Sequence, residues 1–116
     1  MPTYKETHSL EYRRKHMEKC KELHPTKIPV IIEPGKEETL YFTVGYSVPR
    51  NWTMVNLATI FRNKFQIKQS VLLFFLVGGE YIPGTSSTVG QLHEQYKDED
   101  GFLYVKYYAV TSDNLF

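Results

Sequence analysis

Cysteine is nearly missing from this sequence. Cys20 is the only one in 116 residues, so no disulfide can close within the chain, and a reducing compartment is implied. Long apolar runs are missing too: the longest, Val71 to Val77, falls far short of the roughly 20 residues that a spanning helix needs. Neither sign of charge dominates. The net charge is +1, which gives no global field for nucleic acid. There is no glycine-rich phosphate loop, internal repeat or low-complexity segment. His8, His16, His24 and His93 lack metal-ligand spacing, so neither metal nor cofactor is expected. His16 and Cys20 stand four residues apart and could touch on a helix, but no third group orients them as a small cysteine hydrolase would require. The charged start from Lys5 onward is unlike a signal peptide. Together these absences predict a soluble cytoplasmic protein that is not an enzyme. Any membrane attachment would then come through a modification or a partner.

What is present suits one compact domain, with 41% hydrophobic and 15% aromatic residues to build a core. Lys5, Arg13, Arg14, Lys15, Lys19, Lys21 and Lys27 crowd the start, but Glu6, Glu11, Glu18 and Glu22 interleave with them, which predicts a solvated helix face. Thr3 with Glu6 has capping-box spacing, and Ser9 can cap a second helix running towards Leu23, with Leu10, Met17 and Cys20 on its sparse apolar face, until Pro25 stops it. The β-branched run Lys27 to Ile32 reads as a strand, and Pro29 within it suggests an edge or a strand start. From Leu40 to Val48 the pattern alternates, with Leu40, Phe42, Val44, Tyr46 and Val48 on one face and Tyr41, Thr43, Gly45 and Ser47 on the other. These two runs predict a hairpin. Thr53 should cap a helix to about Lys64, with Met54, Leu57, Ala58, Phe61 and Phe65 as its core stripe. Val71 to Val77 reads as a central strand buried on both faces. A short strand at Tyr81 and Ile82, a helix capped by Thr88 and Gln91, and a last strand from Leu103 to Tyr108 complete the order. That order predicts an α+β fold, a ubiquitin-like β-grasp with two extra N-terminal helices. Residues 1–24 would form the helical extension, 25–110 the β-grasp and 111–116 a tail, in one structural domain.

Several stretches together give a specific resemblance. They are Tyr4-Lys5-Glu6 with His8, Arg13 and Arg14; Pro29-Val30-Ile31-Ile32-Glu33; Leu73-Phe74-Phe75-Leu76-Val77; Ile82-Pro83, Thr85-Ser86 and Gly90-Gln91-Leu92; and Glu99-Asp100, Phe102-Leu103-Tyr104-Val105 and Tyr107. In this order they resemble the autophagy-related protein eight (GABARAP-type) family of ubiquitin-like autophagy modifiers. The stretch from Pro34 to Val44 departs from the family and is slightly shorter. Phe74, Phe75 and Leu103 are expected in the core.

The resemblance implies a groove for extended peptides that carry an aromatic residue, two spacers and an aliphatic residue, added as a strand beside Leu40 to Val48. The aliphatic pocket would be lined by Tyr46, Val48, Pro49, Leu57 and Ile60, with Trp52 nearby. The aromatic pocket would involve Cys20, Pro29, Ile31 and Phe102. There, Gly45 and Ser47 replace the family's usual Lys and Leu, and His16 replaces an acidic residue, which leaves less apolar wall to bury a ring. Lys27 and Lys64 match basic positions beside the groove, suited to acidic flanks of the peptide. Implied partners are autophagy receptors and adaptors with such motifs, the activating and conjugating enzymes and processing protease of the pathway, and phosphatidylethanolamine in the autophagosomal membrane. The competing expectation is an unconjugated interaction scaffold or a microtubule-associated adaptor.

Relatives are conjugated through a C-terminal glycine, whereas Asn114-Leu115-Phe116 offers none. Glycine suits a narrow conjugating site because no Cβ crowds the backbone. The 116-residue form is therefore expected not to be lipidated. In a reconstituted reaction with cognate enzymes, ATP and phosphatidylethanolamine liposomes, a version with glycine added after Phe116 should gain the lipid mass. Lipidation of the unextended chain would refute this.

Overall fold

The computed structural model describes residues 2–36, 43–78, 83–84 and 86–110. The N-terminal helices form where local capping dictates. The Thr3 hydroxyl accepts the Glu6 amide at 3.2 Å while the Glu6 carboxylate accepts the Thr3 amide at 2.9 Å, opening α1 (Tyr4–Thr7). Ser9 caps α2 (Leu10–Leu23) by accepting from the Tyr12 amide, and Pro25, just beyond its end, cannot donate to prolong it. The Tyr4 amide donates to the buried Glu33 carboxylate at 2.6 Å, tying α1 to the sheet.

Strand β1 (Lys27–Pro34) pairs antiparallel with β2 (Val44–Pro49), as the expected hairpin requires. Of the strand expected from Leu40, positions 40–42 lie outside the described residues. Thr53 caps α3 (Met54–Phe65) in a reciprocal box with Asn56, and Gln66 ends it in the left-handed region at φ 52°. Met54, Leu57 and Phe61 are buried, with Ala58 and Phe65 against the same core, so the expected stripe forms. Next come β3 (Leu72–Val77), α4 (Val89–Tyr96), opened by the Thr88–Gln91 box, and β4 (Leu103–Val110). The expected strand at Tyr81 and Ile82 lies outside the described residues.

The sheet order is β2-β1-β4-β3, with β1 and β4 parallel in the middle and antiparallel neighbours on either side. This mixed sheet with α3 against one face is an α+β, ubiquitin-like β-grasp. Two expectations are corrected by it. The Val71 to Val77 run is an edge strand, not a central one: it pairs with β4 alone among the described strands, and one of its faces is open. Phe74 is accordingly 51% exposed rather than in the core, and Leu72 is 43% exposed. Continuous apolar sequence records hydrophobicity but not which strand lies alongside. The strand containing Pro29 is internal, so of the two alternatives expected for Pro29 the strand start holds: it is the third residue of β1. β4 pairs with β1 only from Val30 onward, so at Pro29 the side facing away from β2 has no neighbour that would need an amide donor.

Two apolar clusters sit on opposite faces of the sheet. The larger joins Ile28, Val30, Ile32, Val48, Leu103, Val105 and Tyr107 of the sheet to Leu57 and Phe61 of α3. The smaller joins Ile31, Phe102 and Tyr104 to Tyr4, Met17 and Cys20 of the N-terminal helices. A buried ion pair anchors the second layer. Arg13 Nε donates to Asp100 Oδ2 at 2.8 Å, the Tyr104 hydroxyl donates to the same oxygen at 2.5 Å, and the Phe102 amide donates to Oδ1 at 2.9 Å. Arg13 also donates to the His8 carbonyl at 2.7 Å. The solvated basic face expected for this segment holds for the exposed Lys15–Glu11 pair, but Arg13 departs from it because its guanidinium has a fully buried carboxylate to meet.

Removing one partner of a buried pair strands the other's charge. Asp100→Ala should therefore lower the unfolding free energy by about 3–5 kcal/mol, read from urea denaturation. Lys15→Ala, on the exposed pair, should change it by less than about 1 kcal/mol. Equal small effects would show that the Arg13 network does not hold the helical layer.

Candidate functional site

Strand β2 is an edge, so one side of its backbone has no strand beside it among the described residues. Its register on β1 sorts its side chains. Val44, Tyr46 and Val48 lie opposite Ile32, Val30 and Ile28, on the face packed by α3. Gly45 and Ser47 lie opposite Ile31 and Pro29, on the face covered by the N-terminal helices. Alternation in the sequence had suggested this division.

On the helical-layer face, a cavity of about 100 Å³ opens beside β2. It is lined by His16, Cys20, Ile31, Gly45, Ser47 and Phe102, together with Val30 and Tyr46. Five of the six residues expected at an aromatic pocket thus converge. Pro29, the sixth, lines a neighbouring cavity of about 630 Å³ with Met17, Lys21 and His93. Gly45 leaves the cavity wall bare, since a Cβ there would meet only Ile31 Cδ1 at 3.6 Å and a backbone oxygen at 3.9 Å.

On the α3 face, Val48 and Leu57 are 1% and 0% exposed, so they form floor rather than accessible wall. Tyr46 and Trp52 are half-buried against the same core, Ile60 is half-buried on α3, and Pro49, half-buried at the end of β2, follows Gly45 and Ser47 in the strand's alternation. The Trp52 carbonyl accepts the Val89 amide at 2.7 Å, which joins the end of this wall to α4. The Tyr46 hydroxyl is buried with no hydrogen-bond partner among the described residues, and burial pushes its pKa up, so it stays protonated. Lys64 Nζ lies 5.7 Å from the Tyr46 ring centroid, and Lys27 sits opposite Pro49 at the end of β2, so both basic residues flank the edge.

The profile described as "Autophagy protein Atg8 ubiquitin like" matches residues 12–116. The chain belongs to the Atg8 family. The crystal structure of Trypanosoma brucei ATG8 is similar throughout, with a TM-score of 0.85 and 27% sequence identity over 96% of this chain and 97% of that one.

Other features of this Atg8-family chain were not legible in advance. Tyr4, whose hydroxyl lies 2.5 Å from His16 Nδ1, brings α1 to the rim of the cavity. The rings of Tyr12, His8 and Tyr4 follow one another at 4.7 and 4.5 Å, and His16 lies 5.2 Å from Phe102. Aromatic and histidine residues spaced four apart, Tyr4, His8, Tyr12 and His16, are the signal in the sequence. Burial pushes the Cys20 thiol up, away from the thiolate that a nucleophile needs. Among the described residues no group of His, Cys, Asp and Glu is placed to hold a metal, and no helix is long and apolar enough to cross a membrane.

His93, on α4, donates from Nε2 to the Gly101 carbonyl at 2.8 Å, joining the helix to the turn that follows it. Burial holds its pKa below the usual 6.5. The Gly101 bond opposes that shift, while Lys97, Lys21 and Arg50 reinforce it. A histidine with a depressed folded pKa stabilises fully above its unfolded value and loses that contribution as pH falls through the folded one. Stability should therefore decline as pH drops below 6.5, and the decline should flatten in His93→Gln, measured by urea melts across that range. An unchanged slope would remove His93 as the cause.

Proposed function

We propose that this chain is a ubiquitin-like modifier of autophagy whose β2 edge receives an extended peptide of the form aromatic-x-x-aliphatic. One observation carries the reading: the edge of β2, unpaired on one side among the described strands, has a small cavity on the helical-layer face and the half-buried Tyr46 and Trp52 on the α3 face. Successive side chains of a strand point to opposite faces, so anchors three residues apart must point opposite ways. A peptide lying along β2 would send its aromatic side chain towards Ile31, Gly45, Ser47 and Phe102. Its aliphatic side chain would go towards Tyr46, Pro49, Trp52 and Ile60. Backbone pairing would supply generic affinity, and the side-chain contacts on the two faces would supply selectivity. Lys27 and Lys64 would favour acidic flanking residues, through encounter rate more than through final affinity.

Membership of the Atg8 family supports the remainder of the reading. In a form carrying a C-terminal glycine, the protein would be conjugated to phosphatidylethanolamine and act on autophagosomal membranes; otherwise it would be cytoplasmic. Its partners would be receptors, adaptors and the conjugation enzymes, with no catalysis by the chain itself.

The groove is tested at Ile60, which is half-buried and so tolerates substitution. A carboxylate at Val48 would test folding instead, because that side chain is core. Ile60→Glu places a charge where an aliphatic anchor must lose its water, and should weaken an aromatic-x-x-aliphatic peptide about tenfold or more. Isothermal titration reads the affinity and circular dichroism the fold. Equal affinity for two folded proteins would remove the assignment.

A further inference from the structure

The cavity on the helical-layer face is small, and no carboxylate lines it. At about 100 Å³ it is smaller than the roughly 150 Å³ of an apolar cavity known to hold benzene, so its space favours a single ring over a bicyclic indole. The residues with polar side chains that line it are His16, Ser47, Tyr46 and the weakly polar Cys20.

The state of the His16 ring is fixed by its neighbour. Tyr4 Oη and His16 Nδ1 are 2.5 Å apart. Phenol is the better hydrogen-bond donor and an imidazole nitrogen the better acceptor, so the hydroxyl donates and Nδ1 accepts. Burial, with a smaller contribution from Tyr12, pushes the Tyr4 pKa up to about 12, so the phenol keeps its proton. A neutral imidazole that accepts at Nδ1 carries its own proton on Nε2. The ring, on an exposed residue of α2, lies near those of Tyr4, Tyr12 and Phe102, at centroid distances of 5.8, 6.4 and 5.2 Å. The polar position it can offer an occupant of the cavity is therefore a donor.

Resting on the peptide-groove reading above, we propose that this cavity selects tyrosine as the aromatic anchor of the peptide, with His16 Nε2–H donating to the phenolic oxygen, and discriminates against tryptophan. Tryptophan is disfavoured twice: its indole is larger than the space favours, and its N–H, a donor only, cannot pair with the donor that His16 presents. Phenylalanine fits but leaves the Nε2 proton unused. Tyr4 acts here as a positioning residue, setting the tautomer of His16 without touching the peptide.

The test uses three peptides, identical except for Tyr, Phe or Trp at the aromatic position. Each is titrated calorimetrically against the wild type, Tyr4→Phe and His16→Glu, and long-range ¹H–¹⁵N correlation reports the His16 tautomer. One net hydrogen bond predicts Tyr ahead of Phe by about threefold to tenfold in the wild type, with Trp weakest. Tyr4→Phe should narrow the gap between Tyr and Phe. His16→Glu, which supplies an acceptor, should raise Trp relative to Tyr. The ¹⁵N pattern should show the proton on Nε2. Trp equal to or ahead of Tyr on the wild type, or a proton on Nδ1, overturns the selectivity and leaves the groove standing. Failure of all three peptides to bind overturns the groove and the selectivity with it.

Discussion

The parallel pairing of β1 with β4 is the constraint on which the rest of this structure depends. It places the first and last strands side by side in the middle of the sheet, so β2 and β3 become its edges. A parallel pair needs a long crossover between its strands, and here that crossover contains the other two strands and both later helices. Burying the centre fixes which face of each strand is core. Val30 and Ile32 of β1 and Leu103 and Val105 of β4 face α3, while Ile31 and Tyr104 between them face the N-terminal layer. With the faces set, β2 has one available register. A slip of one residue would move Tyr46 and Val48 out of the α3 core and put Gly45 and Ser47 in their place.

The two edges differ in what they offer. β2 is short, ends in Pro49 and has a cavity on its helical-layer face, so an extended segment beside it would gain backbone pairing and side-chain burial together. β3 has a bare outer face carrying Leu72 and Phe74, without the flanking helices that give β2 its walls. Unpaired backbone alone does not make a selective surface, because it pairs equally well with any sequence.

Local features of this fold were legible in the sequence, and long-range ones were not. The boxes at Thr3–Glu6 and Thr88–Gln91 involve residues three apart, so the sequence contains all the information they need. The α3 stripe and the split of Tyr46 and Val48 from Gly45 and Ser47 were readable for the same reason, from periodicity. Strand neighbours were not readable. The Leu73-Phe74-Phe75 run is equally apolar at a centre or an edge; pairing with β4 alone puts β3 at the edge, and the N-terminal layer, centred on Ile31, Phe102 and Tyr104, leaves Phe74 facing solvent. Arg13 looked like one more cation on a charged helix because its partner lies 87 residues away. Residues grouped at the candidate site by family resemblance converge around β2, but the depth of the recess, and the tautomer fixed by Tyr4, depend on how α1 and α2 settle on the sheet.

That settling makes the two walls of the β2 edge physically unlike. The α3 wall rests on apolar contacts among fully buried side chains such as Leu57 and Phe61, where losing a large side chain costs about 2–5 kcal/mol and leaves a cavity. The helical-layer wall rests on a polar node. Asp100 holds the Phe102 amide, the Tyr104 hydroxyl and Arg13 at once, and Arg13 in turn holds the His8 carbonyl at the junction of α1 and α2. Phe102 is both part of that node and a wall of the small cavity. A buried pair of this kind is weakly screened by salt but depends steeply on geometry, so it orients its elements more sharply than apolar packing does. The N-terminal layer covers the sheet with only Ile31, Phe102 and Tyr104 in its buried cluster, far fewer than α3 uses. Charge and hydrogen bonding therefore set its position where apolar area is scarce, and a shift of that layer would move Tyr4, His16 and Phe102 together.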